Sequence, residues 1–288
     1  WEVVGGGSSG GILVRKGPEL KSDILPKRLA TGSLVRELRY TKKRLHFDKI
    51  SGDGPDFGWV SCDAGGSQLL RHFDALRVSR LNVRPPGEPL RVLCIGDSIT
   101  AGGYPSVIQR ELASTWGIPC DVKDFGVRGA SVQPMLGGPC FPYAKLPRLE
   151  PEMRVNPPDV IISMLGTNDA RLGHWCEQAF VEEYCQLLHR FLGLQHELGA
   201  GWTRRSVLVV VPPRVTTNAW GIEVSIVDVD LERAVTVVAR QLGLPLLSPR
   251  GRLEPVEAFL SDGVHPTQAG SAALADVVAR GLLSVVAA

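Results

Sequence analysis

Four short blocks of this sequence hold residue types that could do chemistry together. The first is Gly96-Asp97-Ser98-Ile99-Thr100, at the end of an apolar run, and the last is Asp262-Gly263-Val264-His265-Pro266-Thr267. Serine is a weak nucleophile until a neighbouring base takes its proton, and histidine is the usual base. A carboxylate can fix the tautomer of that imidazole and steady its cation. Asp262 and His265 stand three residues apart, close enough for one turn to present both. Between the outer blocks lie Asp124-Phe125-Gly126-Val127-Arg128-Gly129-Ala130-Ser131, able to offer a bare backbone N–H, and Gly166-Thr167-Asn168-Asp169, able to offer an amide. The expected division of labour has Ser98 attacking an ester carbonyl, His265 moving the proton and Asp262 orienting His265. The N–H groups of Ser98 and Gly129 and the amide of Asn168 would hold the oxyanion, with Gly126 the competing glycine. Each such donor is worth on the order of 3 kcal/mol, or roughly 10²–10³ in rate. The base works only unprotonated, so activity is expected to rise from acid toward neutral pH. Asp97 and Asp169 are expected to bond loop amides rather than to serve as the triad acid.

Such groups meet only if the chain brings distant segments to one edge. From residue 90 onward the pattern alternates. Apolar runs at Leu90–Ile95, Val160–Leu165, Val207–Val211 and Leu246-Leu247, with Cys120–Phe125 as a second strand in chain order, predict five strands. Helical spacing predicts helices over Ser106–Trp116, Glu177–Leu198, Val227–Leu242 and Gln268–Leu283. The second of these carries Phe180, Tyr184, Leu187, Leu188, Phe191 and Leu198 on one stripe. Strands alternating with helices imply an α/β fold whose parallel sheet is covered on both faces. Sites in such sheets form at the carboxyl ends of the strands, where three of the four blocks fall. The fourth directly precedes the last helix.

Residues 1–81 have a different character. Short β-type runs at Ile12–Arg15, Ser33–Leu38, Leu45–Ile50 and Gly58–Ser61 are separated by Gly, Pro and Asp turns, which predicts a small all-β module. Leu13-Val14-Arg15-Lys16-Gly17-Pro18, Leu29-Ala30-Thr31-Gly32-Ser33-Leu34-Val35 and the stretch Gly52–Ser61, with its closing Gly58-Trp59-Val60, resemble the bacterial-type SH3-like domain. That resemblance implies a β-barrel with a polymer or protein ligand. Two motif matches here are discounted: Gly5–Gly10 fits G-x-G-x-x-G, and Gly6–Gly10 fits G-x-S-x-G. Both motifs need a helix directly afterwards, and β-type Ile12-Leu13-Val14 follows instead. Residues 82–89, Asn-Val-Arg-Pro-Pro-Gly-Glu-Pro, read as a linker to a domain spanning 90–288.

The four blocks, in this order after successive strands, resemble the SGNH (GDSL-like) hydrolase family over about residues 90–285. The resemblance implies a three-layer, flavodoxin-like sheet, an acyl-enzyme mechanism, and Ser98, Gly129, Asn168 and His265 as the four namesake residues, with Asp262 as triad acid. Gly129 is preferred to Gly126 because it stands five residues after Asp124, where the family usually has asparagine; aspartate is a departure. Within the family, the run from Gly166 through Trp175, Phe180 and Tyr184, and Pro212-Pro213 followed by Asn218-Ala219-Trp220-Gly221-Ile222, resemble carbohydrate O-acetylesterases. The implied substrate is an acetyl or other small acyl ester, carried by a small molecule or a carbohydrate. His174 and Trp175 are candidates for the mouth of the site. Met135, Phe141, Pro142 and Tyr143, in the insertion between Ser131 and Pro158, could stack on a sugar or equally hold an acyl chain. A lysophospholipase or thioesterase is therefore the alternative, and a non-catalytic binding protein using the SH3-like part is a third reading. The sequence names no metal or organic cofactor.

The bulk numbers fit this reading. The 288 residues suffice for two domains, since single cores rarely exceed about 250. Hydrophobic residues make up 44%, charged residues 22%, and the formal net charge is +2, ordinary values for a globular chain. The one basic cluster, Lys42-Lys43-Arg44, reads as a solvated turn, so no nucleic-acid partner is expected. No apolar run approaches the roughly 18–20 residues of a membrane span. The six cysteines lack C-x-x-C pairs and are expected to be free and mostly buried, a Cys140–Cys176 bridge being the alternative. A start at Trp1 suggests upstream processing or truncation, as in a secreted or organellar protein, whereas the lack of N-x-Ser/Thr sites argues against a glycosylated route.

Overall fold

In the computed structural model, residues 1–71, 88–134, 140–198, 206–253 and 260–287 are described. Most of the expected linker and Met135 lie outside them. The chain divides into two compact units, residues 1–78 with 286–288 and residues 79–285.

In the first unit, strands β1 (Glu2–Val3), β2 (Leu34–Thr41), β3 (Arg44–Ser51), β4 (Phe57–Ser61) and β5 (Leu70–Arg71) form one antiparallel sheet in the order β4-β3-β2-β1-β5. Alternate residues point inward, so Val35, Leu45, Phe47 and Val60 join Val3, Val14, Leu29 and Leu70 in a core of their own. Ile12–Arg15 does not form the expected strand. Its residues pair singly with different partners, Ile12 with Leu29 and Arg15 with both Ile24 and Trp59. Trp59 is buried and stacks on His46, the ring centroids 4.8 Å apart. Lys42 and Lys43 do make an exposed turn, both with left-handed backbone, between β2 and β3. Arg44 corrects the reading of that triplet as solvated. Its guanidinium is buried and donates to the Pro18 carbonyl at 3.0 Å and to Ser61 Oγ at 2.8 Å. The Gly5–Gly10 segment holds a single 3₁₀ turn at Gly7–Ser9, with no α-helix after it.

In the second unit, β6 (Leu90–Gly96), β7 (Cys120–Gly126), β8 (Val160–Met164), β9 (Val207–Val210) and β10 (Leu246–Leu247) lie in the order β10-β9-β8-β6-β7. All four pairings are parallel. Within the unit this is the 2-1-3-4-5 order of flavodoxin-like sheets, whose crevice opens between the first and third strands. Every residue of the interior strands β8 and β9 is buried, which explains their unbroken apolar runs. The edge strand β7 is more open, and there the chain tolerates Asp121, Lys123 and Asp124.

Helices α1 (Tyr104–Trp116), α2 (Leu149–Val155), α3 (Glu177–Glu197), α4 (Glu232–Leu242) and α5 (Gln268–Ala287) complete the layers. The α3 stripe buries Phe180, Tyr184, Leu187, Leu188 and Phe191 as expected, but Leu194 takes the core place expected of Leu198. Before α4 the chain makes a π-type turn, Ile226–Leu231. Its Val227 and Asp228 carbonyls accept the Arg250 guanidinium at 2.6 and 2.8 Å, so the widened turn does not leave them unpaired. Thr267 caps α5, its hydroxyl accepting the Gly270 N–H at 3.0 Å, which fixes where the helix begins just after His265.

Candidate active site

Parallel register places the strand ends together. Gly96 pairs with Gly126 on one side and with Met164 on the other, so the chain leaves three adjacent strands at one level. Ser98, Gly129 and Asn168 each follow one of these ends, and the C-terminal loop brings Asp262 and His265 to the same point.

Ser98 is half-buried in a turn closed by Asp97, whose carbonyl accepts the N–H groups of Thr100 and Ala101 at 3.2 and 3.0 Å. Helix α1 opens only at Tyr104, so the turn itself, rather than a helix start, surrounds the serine. Ser98 Oγ lies 2.9 Å from His265 Nε2, and His265 Nδ1 lies 2.8 Å from Asp262 Oδ2. The second oxygen, Asp262 Oδ1, accepts the N–H groups of His265 at 2.7 Å and Val264 at 2.9 Å. Burial pushes the Asp262 carboxyl upward, but these N–H donors and the imidazole outweigh it and hold the group below the usual range. An ionised Asp262 accepts from Nδ1–H, leaving Nε2 free to accept the Ser98 proton.

Gly263 makes this turn possible. Its φ is +85°, and a Cβ there would come within 2.3 Å of Thr217 Oγ1. The loop after β9 braces the turn from outside: Thr216 N–H donates to the Gly263 carbonyl at 2.8 Å, and Thr217 Oγ1 to the Asp262 carbonyl at 3.2 Å.

The N–H groups of Ser98 and Gly129 donate to no protein atom among the described residues. The competing Gly126 has its N–H committed to Asp124 Oδ1 at 2.8 Å. Asp124 Oδ2 accepts the Gly102 N–H at 2.6 Å, so both contacts ask only for acceptors and an aspartate serves. Asn168 is buried, one amide hydrogen donated to the Ala130 carbonyl at 2.9 Å and the other without a partner among the described residues. Behind it, the fully buried Asp169 accepts from Val132 N–H at 2.9 Å and Gln133 N–H at 2.7 Å, which ties down the chain just past Gly129. Asp97 Oδ1 accepts the Ile99 N–H at 2.9 Å, while Oδ2 and the neighbouring Thr167 hydroxyl are buried with no further partner among the described residues. Burial raises Asp97 to about 6 and Asp169 to about 7.

The outer candidates fare differently. Tyr143, expected to face substrate, is fully buried in the core, and its hydroxyl donates to the Phe125 carbonyl at 2.7 Å. Trp175 leans on Phe180 at a centroid distance of 5.2 Å, a packing contact. His174 Nε2 is buried and unpaired, and burial, then the Arg171 charge, lowers its pKa. All six cysteines are free; Cys140 is buried and Cys176 exposed. Two residues absent from the expected site touch it. The Trp220 and His265 rings make a T-shaped contact, centroids 5.3 Å apart at 62°. Arg171 donates from Nε to the Asn168 carbonyl at 3.1 Å and from its guanidinium tip to the Trp220 carbonyl. Trp220 was at least visible in the Asn218–Ile222 motif; Arg171 left no signal. Among the described residues, no cluster of three or more His, Cys, Asp or Glu is arranged to hold a metal, and no helix is long and apolar enough to cross a membrane.

Comparison with known proteins agrees with this architecture. The chain is 26% identical over 222 residues to an acetylxylan esterase of Xylanibacter ruminicola, a match covering 69% of this chain and 44% of that protein. It thus spans less than half the length of that relative. In structure it is similar to an aryl esterase from M. smegmatis, with 20% identity, 68% of this chain and 99% of that one covered, and a TM-score of 0.54. An acetylxylan esterase from Geobacillus stearothermophilus superposes with 20% identity, 68% and 94% coverage, and a TM-score of 0.50. At these identities the two structures speak for the fold. Residues 94–273, more than half of the chain, match the GDSL-like lipase/acylhydrolase family; the chain belongs to that family, and its α/β unit is an esterase of the GDSL (SGNH) type.

Proposed function

We propose that the α/β unit hydrolyses acetyl and other small acyl esters, on carbohydrate in particular, through a Ser98–His265–Asp262 triad and an acyl-enzyme. The observation that carries the reading is the continuous relay from Ser98 Oγ to His265 to Asp262, at 2.9 and 2.8 Å, beside two uncommitted N–H groups. Ser98 Oγ attacks the ester carbonyl carbon as His265 Nε2 takes its proton. The negative charge on the carbonyl oxygen is met by the Ser98 and Gly129 N–H groups and the free amide hydrogen of Asn168. Collapse of the tetrahedral intermediate breaks the bond to the alcohol oxygen, which leaves with the proton held on His265. Water, deprotonated by the same imidazole, then attacks the acyl-Ser98 ester; the acyl–Oγ bond breaks, His265 returns the proton to Ser98 Oγ, and the acid leaves. Sequence similarity to an acetylxylan esterase supports an acetylated sugar as the substrate class.

Replacing Ser98 by Ala is expected to abolish both ester hydrolysis and labelling by a fluorophosphonate. A panel of p-nitrophenyl esters from two to sixteen carbons tests the acyl preference. The acetyl ester is expected to be cleaved best, each added methylene costing about 1–3 kcal/mol in a small pocket. Full activity in Ser98→Ala would end this mechanism, and a maximum at eight carbons or longer would favour a lipid or thioester substrate.

For the all-β unit we propose an SH3-like attachment role, with a domain boundary near residue 81. The five antiparallel strands and the buried Trp59 support this reading.

A further inference from the structure

We propose that Trp220 is the wall against which the alcohol half of the ester rests, and so determines leaving-group specificity; the inference rests on the esterase reading above. Trp220 has φ 52° and ψ 28°, a left-handed conformation that a bulky L-residue adopts only when its surroundings impose it. Those surroundings are well defined. Its carbonyl is held by the Arg171 guanidinium, and Glu223 N–H donates to the Ala170 carbonyl at 2.8 Å. The Asn218 side chain closes the loop, donating to Glu223 Oε2 at 2.7 Å and accepting the Val224 N–H at 3.0 Å.

This strained segment buries no ring in exchange. Trp220 is 56% exposed, and its ring meets the His265 imidazole in a T-shaped contact. Strain that presents an exposed aromatic face beside a general base points to a contact made only when substrate is bound.

The chemistry says which half of the substrate it meets. His265 Nε2 must hand its proton to the departing alcohol oxygen, so that oxygen comes to rest at His265. The oxyanion donors Ser98, Gly129 and Asn168 come instead from the three strand ends and face the acyl carbonyl. A ring packed on His265 therefore borders the alcohol. An indole face suits an alcohol with a broad apolar face, such as a pyranose or an aryl ring, over a short alkyl chain.

The test compares ratios of kcat/KM in the full-length protein, Trp220→Gly and Trp220→Phe. Glycine accepts the left-handed backbone, and phenylalanine keeps a ring. The ratio for cyclohexyl acetate over ethyl acetate is expected to fall about three- to tenfold in Trp220→Gly and to recover in part in Trp220→Phe. The ratio for phenyl butyrate over phenyl acetate, which varies only the acyl half, is expected to move less than about twofold. An unmoved cyclohexyl-to-ethyl ratio, or a shift in the acyl ratio instead, would overturn the inference while leaving the esterase reading intact. Failure of the unsubstituted protein to cleave any of these esters would bring down both. Trp220→Gly is also expected to keep or raise Tm, since it relieves strain; a marked fall in Tm would mean that the ring is a packing support and not a substrate wall.

Discussion

Asp262 and Asp97 show how neighbours decide what a carboxylate becomes. Asp262 is partly exposed and collects two backbone N–H donors and an imidazole, so it stays ionised and can steady a cationic His265. Asp97 is fully buried with one N–H donor, and burial moves it from the ordinary 3.8 to about 6. The two therefore act on stability with opposite signs. The depressed Asp262 contributes stability that is present above its unfolded pKa and lost on acidification. For the raised Asp97, the folded chain keeps a proton between about 4 and 6 that the unfolded chain has released, so stability falls as pH rises through that window. Asp169, raised to about 7, has the same sign as Asp97. In Asp97→Asn the amide oxygen can still accept from Ile99, and the new NH₂ can donate to the neighbouring Thr167 hydroxyl oxygen. The Tm of Asp97→Asn relative to the parent is thus expected to climb between pH 4.5 and pH 7.5. The rise should be several degrees, since one pKa unit is about 1.4 kcal/mol and about 1 kcal/mol moves Tm by roughly 2–4 °C at this size. A Tm difference that does not change with pH would show that Asp97 does not titrate in that range.

At the scale of elements, the site is a set of strand ends plus one braced turn. The turn's dependence on Gly263 is testable. Gly263→Ala would place a methyl on Thr217 at a backbone angle that favours glycine, and the displacement would pass directly to Asp262 and His265. The expected loss is about 1–3 kcal/mol of stability, with kcat lowered by at least about tenfold, measured by thermal melting and p-nitrophenyl acetate hydrolysis. Unchanged kcat in a folded Gly263→Ala protein would show that the turn tolerates a different path. The ends of β6 and β8 were legible in the sequence because buried parallel strands leave apolar runs, with reactive blocks at their C-terminal limits, whereas the open edge strand β7 left a weaker, mixed pattern. The pairing of His265 with Asp262 was legible because the two are local to one another. Relations made only by folding were not legible. Tyr143 has the composition of a surface aromatic within a Pro-rich insertion, yet its hydroxyl finds the Phe125 carbonyl and its ring enters the core. Arg171 sits on one loop and Trp220 on another, and nothing local marks their contact. Ile12–Arg15 has a strand's apolar content, but its possible partners come from three separate places, so no ladder forms.

At the scale of the whole molecule, the question is whether the chemistry needs the all-β unit. Buried residues fall into separate cores, one built on Val3, Val35, Phe47 and Leu70 and the other on Leu93, Ile161, Phe180 and Val209. The relay, the uncommitted N–H groups and the Gly263 brace are all made by residues beyond 95. Every strand of the parallel sheet lies beyond residue 89. A unit that has its own sheet, its own core and its complete site has the ingredients of independent folding, and burial within one core is the dominant favourable term. A chain beginning near residue 86 is therefore expected to fold and to cleave p-nitrophenyl acetate with a kcat/KM close to that of the full chain. The opposing view holds that the all-β unit completes the pocket or shields apolar surface of the α/β unit. Trp59 would be an obvious contributor, and its ring stacks on His46 of the same all-β unit. The comparison is best made on a small ester, because a polymeric substrate would also report any attachment role of the all-β unit. An insoluble shortened protein, or a soluble one slowed by more than about tenfold, equivalent to about 1.4 kcal/mol in the barrier, would show that the two units share the catalytic work.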